Sequence, residues 1–336
     1  MLAAFKCGKN VRLAEAKCPA PQAGQIRLQV LACGVCGTDL HQSAEANPEE
    51  SMFGHEIVGR ILELGAGMTS LKVGQVVALD SSTPCGWCDR CRDTQQELCT
   101  DIQSFFFIGS FGFAQEMTAP AISALPCDDM DPAVATVQEP LGVALDLVRL
   151  ADLTVGSNVL IMGQGPIGLM ALALARKAGA RRVYVSDFKS RTGRLKLAKA
   201  WGADDYIDPS EGPLDEFKFD GPIDRILVTS PPKTLAGAFN VACKGAIVSF
   251  IGIEHGSGAF CTFDANAFHF KKLQLRASFA SPALFGAKAM KYLREGVIDG
   301  AALVSHRFGL NDMAKALEVA GSDPTAIKVV VEPARK

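Results

Sequence analysis

The sequence predicts an α/β protein in which a doubly wound parallel sheet is joined to a β-rich domain. Three observations lead to this prediction. The spacing and length of the apolar segments change near residue 140. A glycine motif at residues 163–168 directly follows an apolar segment. Four closely spaced cysteines interrupt the first half of the chain. A chain of 336 residues is also long enough for two domains.

The first part of the chain has the pattern of short strands separated by turns. Apolar residues alternate with polar ones, or form short runs that end near glycines. This pattern is typical of a small β-rich domain. Strands are predicted at residues 26–31, 57–64, 73–79 and 111–118.

From about residue 140 the pattern becomes one of short apolar strands alternating with helices, as in βαβ units. Strands are predicted at 159–162, 182–186, 225–228 and 246–251, with a helix at 169–178. The remaining tail predicts helices at 284–295 and 311–320 and a strand at 327–332, too little to fold alone. We therefore predict one domain from residues 1–144 and 283–336, and a second from 145–282.

The composition argues against several classes of function. The chain has 34 Lys and Arg against 36 Asp and Glu, a net charge of −2, which favours neither nucleic acid nor an anionic membrane as a partner. No apolar run reaches the length of a bilayer span, and residues 1–6 lack the pattern of a signal peptide. The 11 cysteines then favour reduced thiols and metal over disulfides. We expect a soluble, cytoplasmic protein.

Four cysteines predict a structural metal lobe at about residues 83–101. Cys85, Cys88, Cys91 and Cys99 have the spacing C-x2-C-x2-C-x7-C. Zn²⁺ accepts four thiolates in a tetrahedron, and such a closed site leaves no position for a substrate. An iron–sulfur cluster is the alternative ligand, although it usually has other spacings.

A second set of metal-ligating residue types lies upstream. Cys36 is followed by Gly54-His55-Glu56, and one thiolate, one imidazole and one carboxylate with an open fourth position describe a catalytic zinc site. Asp39 is suited to hold the outer nitrogen of His55 and so to fix its tautomer. The alternative is a turn with a capping aspartate, a buried cysteine and a surface histidine.

The glycine motif predicts a dinucleotide site. Gly163-Gln-Gly165-Pro166-Ile167-Gly168 follows a predicted strand and opens a predicted helix, and Asp187 ends the next strand. The glycines allow a pyrophosphate to approach the helix N-terminus. Asp187 would bind the ribose hydroxyls and repel a 2′-phosphate, which favours NAD over NADP. Lys189 and Arg191 lie close enough to keep NADP as an alternative.

These motifs resemble, in the same order and over essentially the whole chain, those of the zinc-containing medium-chain alcohol and polyol dehydrogenases. The resemblance implies that the β-rich domain is a GroES-like catalytic domain and that the other is a Rossmann domain. It places Cys36, His55 and Glu56 around the catalytic zinc, with Glu139 of Glu139-Pro-Leu141 as a further ligand or as the residue that holds a zinc-bound water. The other shared motifs are Cys36-Gly-Thr38-Asp39-Leu-His41, Gly54-His55-Glu56-Ile-Val-Gly59, the four cysteines, Gly112-Phe-Ala114 with Glu116, and the turn at 163–168.

The resemblance also implies a proton path and a substrate branch. Thr38 would take the hydroxyl proton and pass it through the cofactor ribose to His41, and Arg191 or Arg194 would lie on the adenine side. The carboxylates at positions 56 and 139 are similar to those of the sorbitol, threonine and sugar-alcohol dehydrogenases. Residues 106–110 are similar to the galactitol-phosphate branch.

We therefore predict an enzyme that oxidises a secondary alcohol of a polyol, sugar derivative or amino alcohol with NAD⁺. It would hold two zinc ions per chain, one catalytic and one structural, bind substrate in the cleft between its domains, and form a homodimer or homotetramer. Two alternatives remain at this point: a zinc-free quinone or enone reductase, and a non-catalytic NAD-binding sensor.

Overall fold

The computed structural model describes residues 1–8, 10–41, 49–67 and 70–335. The chain divides into two compact units, one formed by residues 1–142 and 280–336 and the other by residues 143–279. Within the described residues, no helix combines the length and the apolar character needed to cross a bilayer. The α/β fold class predicted from the sequence is confirmed.

The first unit is built mainly from β-strands. They are β1 (Leu2–Cys7), β2 (Asn10–Glu15), β3 (Gln25–Gly34), β4 (Ser51–Met52), β5 (Glu56–Leu64), β6 (Val76–Leu79), β7 (Glu116–Pro120), β8 (Ala124–Pro126), β15 (Val304–Gly309) and β16 (Lys328–Glu332). A seven-stranded sheet has the order β15-β16-β3-β5-β6-β8, with β7 also paired to β3, and a small second sheet has the order β2-β1-β4. Strand β16, close to the C-terminus, lies between β15 and β3, so the end of the chain completes this unit.

The helices of the first unit are mostly short. They are α1 (Gly37–His41), α2 (Asp89–Arg92), α3 (Pro132–Ala135), α4 (Gln138–Leu150), which continues into the second unit, α9 (Gly286–Arg294), α10 (Gly300–Leu303) and α11 (Met313–Ser322). Single 3₁₀ turns lie at Gln96–Leu98, Phe105–Ile108, Ala121–Ser123 and Leu310–Asp312. The alternating inward side chains of β3 and β5 form the centre of the core, where Ile26, Leu28, Ile57 and Ile61 are fully buried.

The second unit is a parallel sheet of six strands with helices between them. The strands are β9 (Asn158–Met162), β10 (Arg182–Ser186), β11 (Asp205–Ile207), β12 (Ile223–Val228), β13 (Ala242–Phe250) and β14 (Gln274–Ala277), and the helices are α5 (Pro166–Lys177), α6 (Thr192–Ala200), α7 (Leu235–Val241) and α8 (Ala265–Phe270). Further 3₁₀ turns lie at Leu214–Glu216, Pro232–Thr234 and Gly256–Ala259. The strand order is β11-β10-β9-β12-β13-β14. From β9 the chain adds β10 and β11 on one side, and it then adds β12, β13 and β14 on the other side of β9. The point at which the direction of strand addition reverses therefore lies between β9 and β12.

Two predicted strands start later in the structure. The strand predicted at 111–118 is β7 at Glu116–Pro120. Gly112 precedes it and packs its backbone against Ile57 and Cys33, where a side chain would collide with both. The strand predicted at 73–79 begins at Val76, since Gly74 has φ +88° and belongs to a turn. The other predicted strands and helices overlap those of the structure, with ends that differ by a few residues.

Candidate active site

The four cysteines of the predicted lobe form a compact cluster of sulfur atoms. The Sγ–Sγ distances are 3.9 Å for Cys85–Cys91, 3.8 Å for Cys88–Cys99 and 3.6 Å for Cys85–Cys99. A zinc ion with four thiolates at about 2.3 Å has a tetrahedral edge of about 3.8 Å. The cluster therefore fits a single zinc ion. It is too narrow for an iron–sulfur cluster, in which different irons bind the thiolates and hold them further apart.

The backbone of the lobe is arranged to favour thiolate ligands. The N–H groups of Trp87 and Cys88 donate to Cys85 Sγ at 3.4 and 3.3 Å, and the N–H of Cys85 donates to Cys99 Sγ at 3.3 Å. Backbone hydrogen bonds from Thr100 and Cys91 lower the pKa of Cys88 to about 6, whereas burial raises the pKa of Cys91. Such donors stabilise negative charge on sulfur, which a metal-bound cysteine carries.

The second set is brought together by the pairing of two strands. Strands β3 and β5 are antiparallel with Gly34 opposite Glu56. Cys36 lies just beyond the end of β3, and His55 immediately precedes β5, so the register places both at the same end of the sheet. The ligand atoms of Cys36, His55 and Glu56 all lie within 4.8 Å of one another. This S, N, O donor set fits one zinc ion.

The glycines beside this set are required by close packing. A Cβ at Gly34 would collide with Oε2 of Glu56, so the absence of a side chain leaves the space that the carboxylate fills. Gly54 has φ +95°, and a Cβ there would lie 2.6 Å from the ring of Phe113. The buried Glu56 carboxylate therefore has a defined place, next to the other two candidate ligands.

Lys328, which no sequence motif indicated as a site residue, binds Glu56. Its Nζ lies 2.6 Å from each carboxylate oxygen of Glu56 and donates to the carbonyl oxygen of Val35 at 3.1 Å. Lys328 is the first residue of β16, and four of the five residues of that strand are buried. A lysine inside an apolar segment was the available signal, because a buried ammonium needs a partner.

Asp39 supports the turn that carries Cys36. Its Oδ2 accepts a hydrogen bond from the backbone N–H of Cys36 at 2.8 Å, and its own carbonyl oxygen accepts one from the buried Lys6 ammonium. Burial raises the pKa of Asp39, and burial lowers the pKa of Lys6. Asp39 lies close enough to His55 to influence its charge, while the predicted hydrogen bond between the two stays a prediction.

The charges around His55 favour its protonated form in the absence of a cation. Burial alone would lower the pKa of His55, but the neighbouring Cys36, Asp39 and Glu139 together raise it well above its ordinary value. An imidazole among three acidic groups is a place where a divalent cation would replace the proton. The electrostatics of the set therefore agree with its donor chemistry.

Glu139 lies near this set, at the start of α4, but not among the three residues whose ligand atoms lie within 4.8 Å of one another. Its Oε1 accepts a hydrogen bond from Ser81 Oγ at 3.0 Å, and burial raises its pKa. The preceding Gln138 donates to Asp80 at 2.7 Å. Two consecutive residues after β6 thus hold two consecutive residues of α4, a pairing that the sequence alone did not reveal.

Aromatic side chains form one side of the set. The ring of Phe106 lies 6.2 Å from that of His55, 4.9 Å from Phe105 and 5.5 Å from Phe111. Phe105 is fully buried, whereas Phe106 is 43% exposed. Phe106 can therefore contact a molecule bound beside His55.

The predicted relay residues are only partly described. Thr38 lies in α1 and is exposed. His41 ends the same helix, but its side chain lies outside the part of the chain that the structure describes. The proton path through these two residues stays a prediction.

In the second unit, the glycine motif connects β9 to α5. Gly163 has φ +93°, Gly165 is the N-cap of α5 and Pro166 is at its first turn. A Cβ at Gly168 would collide with the carbonyl oxygen of Gly163, so the turn needs a glycine at this position. Ile167 follows Pro166 in the same first turn. The exposed N–H groups of such a helix N-terminus are suited to a pyrophosphate.

Asp187 lies directly after β10 and ties the glycine turn to its neighbours. Its Oδ2 accepts from the backbone N–H of Gln164 at 2.9 Å and lies 3.3 Å from Nη1 of Arg194, and its Oδ1 accepts from Phe188 N–H at 2.8 Å. Lys189 instead binds both oxygens of Glu211, at 2.7 and 2.6 Å. Arg194, one of the two arginines predicted for the adenine side, thus contacts Asp187.

Two family models match the chain. The alcohol dehydrogenase GroES-like domain matches residues 22–129, and the zinc-binding dehydrogenase domain matches residues 166–292. The chain belongs to the zinc-binding, medium-chain alcohol dehydrogenase family. The family predicted from the motif order is thereby confirmed, and with it the description of the protein as an oxidoreductase.

Relatives of this dehydrogenase act on different alcohols. It is 34% identical to the L-threonine 3-dehydrogenase of Thermococcus kodakarensis over 73% of this chain and 72% of that one. It is 29% identical to the L-galactonate-5-dehydrogenase of Escherichia coli K12 over 89% of each chain. Since the names of two relatives already differ in substrate, the family alone does not name the substrate here.

Solved structures similar to this chain also differ from one another in the nucleotide that they contain. An alcohol dehydrogenase of E. coli CFT073 complexed with NADH has a TM-score of 0.88, 26% identity and 99% coverage of both chains. A zinc-binding dehydrogenase of Sinorhizobium meliloti 1021 bound to NADP has a TM-score of 0.87, 26% identity and the same coverage. Relatives of this dehydrogenase therefore include proteins with either nucleotide.

Proposed function

We propose that this dehydrogenase oxidises a secondary alcohol of a polyol, sugar derivative or amino alcohol, with NAD⁺ as hydride acceptor. The observation that carries the proposal is the convergence of Cys36, His55 and Glu56 within 4.8 Å, beside Glu139. A zinc-free reductase would have no use for this set, and a non-catalytic sensor would not need it intact.

In this proposal, individual residues would have the following roles in catalysis. Cys36, His55 and Glu56 would hold a zinc ion, which when bound supplies a Lewis acid that lowers the pKa of the alcohol. Glu139, fixed by Ser81, would hold the water or the substrate hydroxyl beside it. Thr38 would accept the hydroxyl proton and His41 would release it to solvent.

The nucleotide would be held by the second unit. The glycine turn would bind the pyrophosphate, and Asp187 the ribose hydroxyls, with Arg194 on the adenine side. Bound NAD⁺ accepts the hydride. The second zinc, held by the four cysteines, would have no position open to substrate.

A substrate panel tests this function. Purified protein is incubated with L-threonine, L-galactonate, a hexitol and a primary alcohol, each with NAD⁺ or NADP⁺, and absorbance at the reduced-nicotinamide band is followed. We expect turnover with at least one secondary alcohol that a metal chelator abolishes. Reduction of quinones or enones by chelated protein, with no alcohol oxidation, would contradict the proposal.

Replacing Asp187 by Ser should weaken the binding of NAD⁺ and shift the preference towards NADP⁺. The variant lacks the carboxylate that would accept hydrogen bonds from the ribose and repel a 2′-phosphate. The wild type should prefer NAD⁺ by at least ~10-fold, about 1.4 kcal/mol. The measurement is kcat/KM with both nucleotides.

Asp208→Ser is the matched control for this variant. Asp208 follows the neighbouring strand β11, and its carboxylate accepts from the backbone N–H of Lys189 at 2.8 Å and from Ser210. Its replacement should leave the preference unchanged. A wild-type preference for NADP⁺ would remove Asp187 as the selecting residue and point to Lys189, Arg191 or Arg194.

We also propose that the protein is a homo-oligomer that pairs through β14. This strand is one edge of the parallel sheet, so its outer N–H and C=O groups are open to a further strand. Leu275 on the strand is 39% exposed, and Phe270 and Phe279 beside it are largely exposed. Two copies of such an edge can pair antiparallel about a twofold axis.

Leu275→Lys should therefore shift the protein to a smaller species, because it places two like charges in the paired edge. Val155→Lys is the matched control, as Val155 is an 87% exposed apolar residue elsewhere in the same unit. Light scattering coupled to gel filtration gives the mass of each variant. A monomeric wild type, or equal masses for all three proteins, would contradict pairing through β14.

A further inference from the structure

The buried pair of Lys328 and Glu56 lies where a metal cation would bind. Both carboxylate oxygens of Glu56 lie 2.6 Å from Lys328 Nζ, and the side chains of Glu56 and Lys328 are 1% and 2% exposed, respectively. Lys328 also donates to the carbonyl oxygen of Val35, the residue before Cys36. One ammonium thus links both segments that carry the proposed zinc ligands.

Glu56 cannot bind a metal ion without remaining close to Lys328. Its carboxylate fills the space left by Gly34, with Lys328 on both oxygens and Cys36 and His55 within reach. A cation bound to Glu56 must therefore lie close to the ammonium. Two like charges at short range in a buried site repel each other appreciably, because little water screens them.

The balance of charge around the site explains why the lysine is tolerated. Four acidic groups, those of Cys36, Asp39, Glu56 and Glu139, are near two lysines, Lys6 and Lys328. Lys328 lies close to the acidic groups of Cys36 and Glu139 as well as to that of Glu56. Without the cation, Lys328 is the group that directly compensates Glu56.

We propose that Lys328 is a resident counter-ion that stabilises the metal-free site and competes with the metal for Glu56, so that it lowers the affinity of the site for zinc. This inference rests on the proposed zinc site of Cys36, His55 and Glu56. Lys328 is a positioning residue, because it acts on the metal through Glu56. Its presence would let the site fold before the metal is loaded.

The test compares Lys328→Met and Lys328→Arg with the wild type. Zinc and Co²⁺ affinities are measured by competition with a chromophoric chelator, and the melting temperature is measured with and without metal. We expect Lys328→Met to bind the metal at this site at least ~10-fold more tightly and to melt lower when metal-free, so that metal raises its melting temperature more than in the wild type. Lys328→Arg keeps the charge and should resemble the wild type.

Two controls distinguish an effect of Lys328→Met on the proposed zinc site from a general effect on the fold. Lys271→Met removes a lysine whose Nζ binds backbone carbonyls of Phe239 and Asn240 in the other unit, and should change neither affinity. A Cys36→Ser Lys328→Met protein retains only the four-cysteine site, whose zinc affinity should equal that of Cys36→Ser alone. A change there would show that Lys328→Met acts by general loosening of the fold.

The outcomes distinguish this inference from the function on which it rests. A wild type with one zinc, unaffected by Cys36→Ser, would overturn the proposed site itself. Two zinc ions in the wild type, with equal or weaker binding in Lys328→Met, would overturn only the role of Lys328. If the metal-free Lys328→Met protein unfolds, this supports the proposal that Lys328 stabilises the metal-free site. The metal affinity is then measured on Lys328→Gln, whose side chain can still donate to Val35.

Discussion

Cys36→Ser should remove one of two zinc ions and lower turnover at least about 10³-fold, which is about 4 kcal/mol on the barrier. A serine hydroxyl is a far weaker zinc ligand than a thiolate, and His55 and Glu56 alone would not fix the ion. NAD⁺ binding should stay near the wild-type value, because the glycine turn and Asp187 belong to the other unit. Elemental analysis, turnover and NAD⁺ titration measure the three quantities.

Cys243→Ser is the matched control for that variant. Cys243 is a partly buried free cysteine at the start of β13, outside both candidate metal sets. Its replacement should leave two zinc ions and normal turnover. An active Cys36→Ser protein with two zinc ions would show that the catalytic set has been placed wrongly, and a parallel loss of NAD⁺ affinity would show damage beyond the metal.

Sequence reasoning was strongest where spacing along the chain determines proximity. The four cysteines lie within fifteen residues, so one small lobe had to bring them together. The glycine turn was equally local, because a strand, a tight turn and a helix N-terminus follow one another directly. In both places the geometry follows from short-range chain connectivity.

The sequence was weaker where distant segments meet. Lys328 reaches Glu56 across 272 positions, and only the insertion of β16 beside β3 brings them together. Ser81, just after β6, reaches Glu139 at the start of α4 across 58 positions. Such contacts depend on how strands and helices are arranged in the fold, which local periodicity does not encode.

Spacing also could not settle how Glu139 acts. The sequence left it as a direct ligand or as a holder of water, since both need only a carboxylate near the ion. The candidate ligand atoms of Cys36, His55 and Glu56 lie within 4.8 Å of one another, and Glu139 is hydrogen-bonded to Ser81. This arrangement favours the second role, which we keep as a prediction until zinc is observed in the site.

The cysteine lobe should behave as a structural element, and Cys99→Ser tests this. Zinc binding by four thiolates contributes folding free energy directly, so its loss should destabilise the first unit. If about 3 kcal/mol is lost, the melting temperature should fall by roughly 6–12 °C for a domain of this size. We expect one zinc ion fewer and early proteolysis within residues 85–101.

Activity measured well below the new melting temperature decides whether the lobe has only this role. A closed tetrahedral site has no free position, so Cys99→Ser protein that is still folded should turn over substrate within about two-fold of the wild type. Cys18→Ser is the matched control, because Cys18 is partly buried in the same unit but outside both metal sets, and it should keep both zinc ions. Folded Cys99→Ser protein with the catalytic zinc in place but no turnover would contradict a purely structural role, since the lobe would then have to act on the reacting groups.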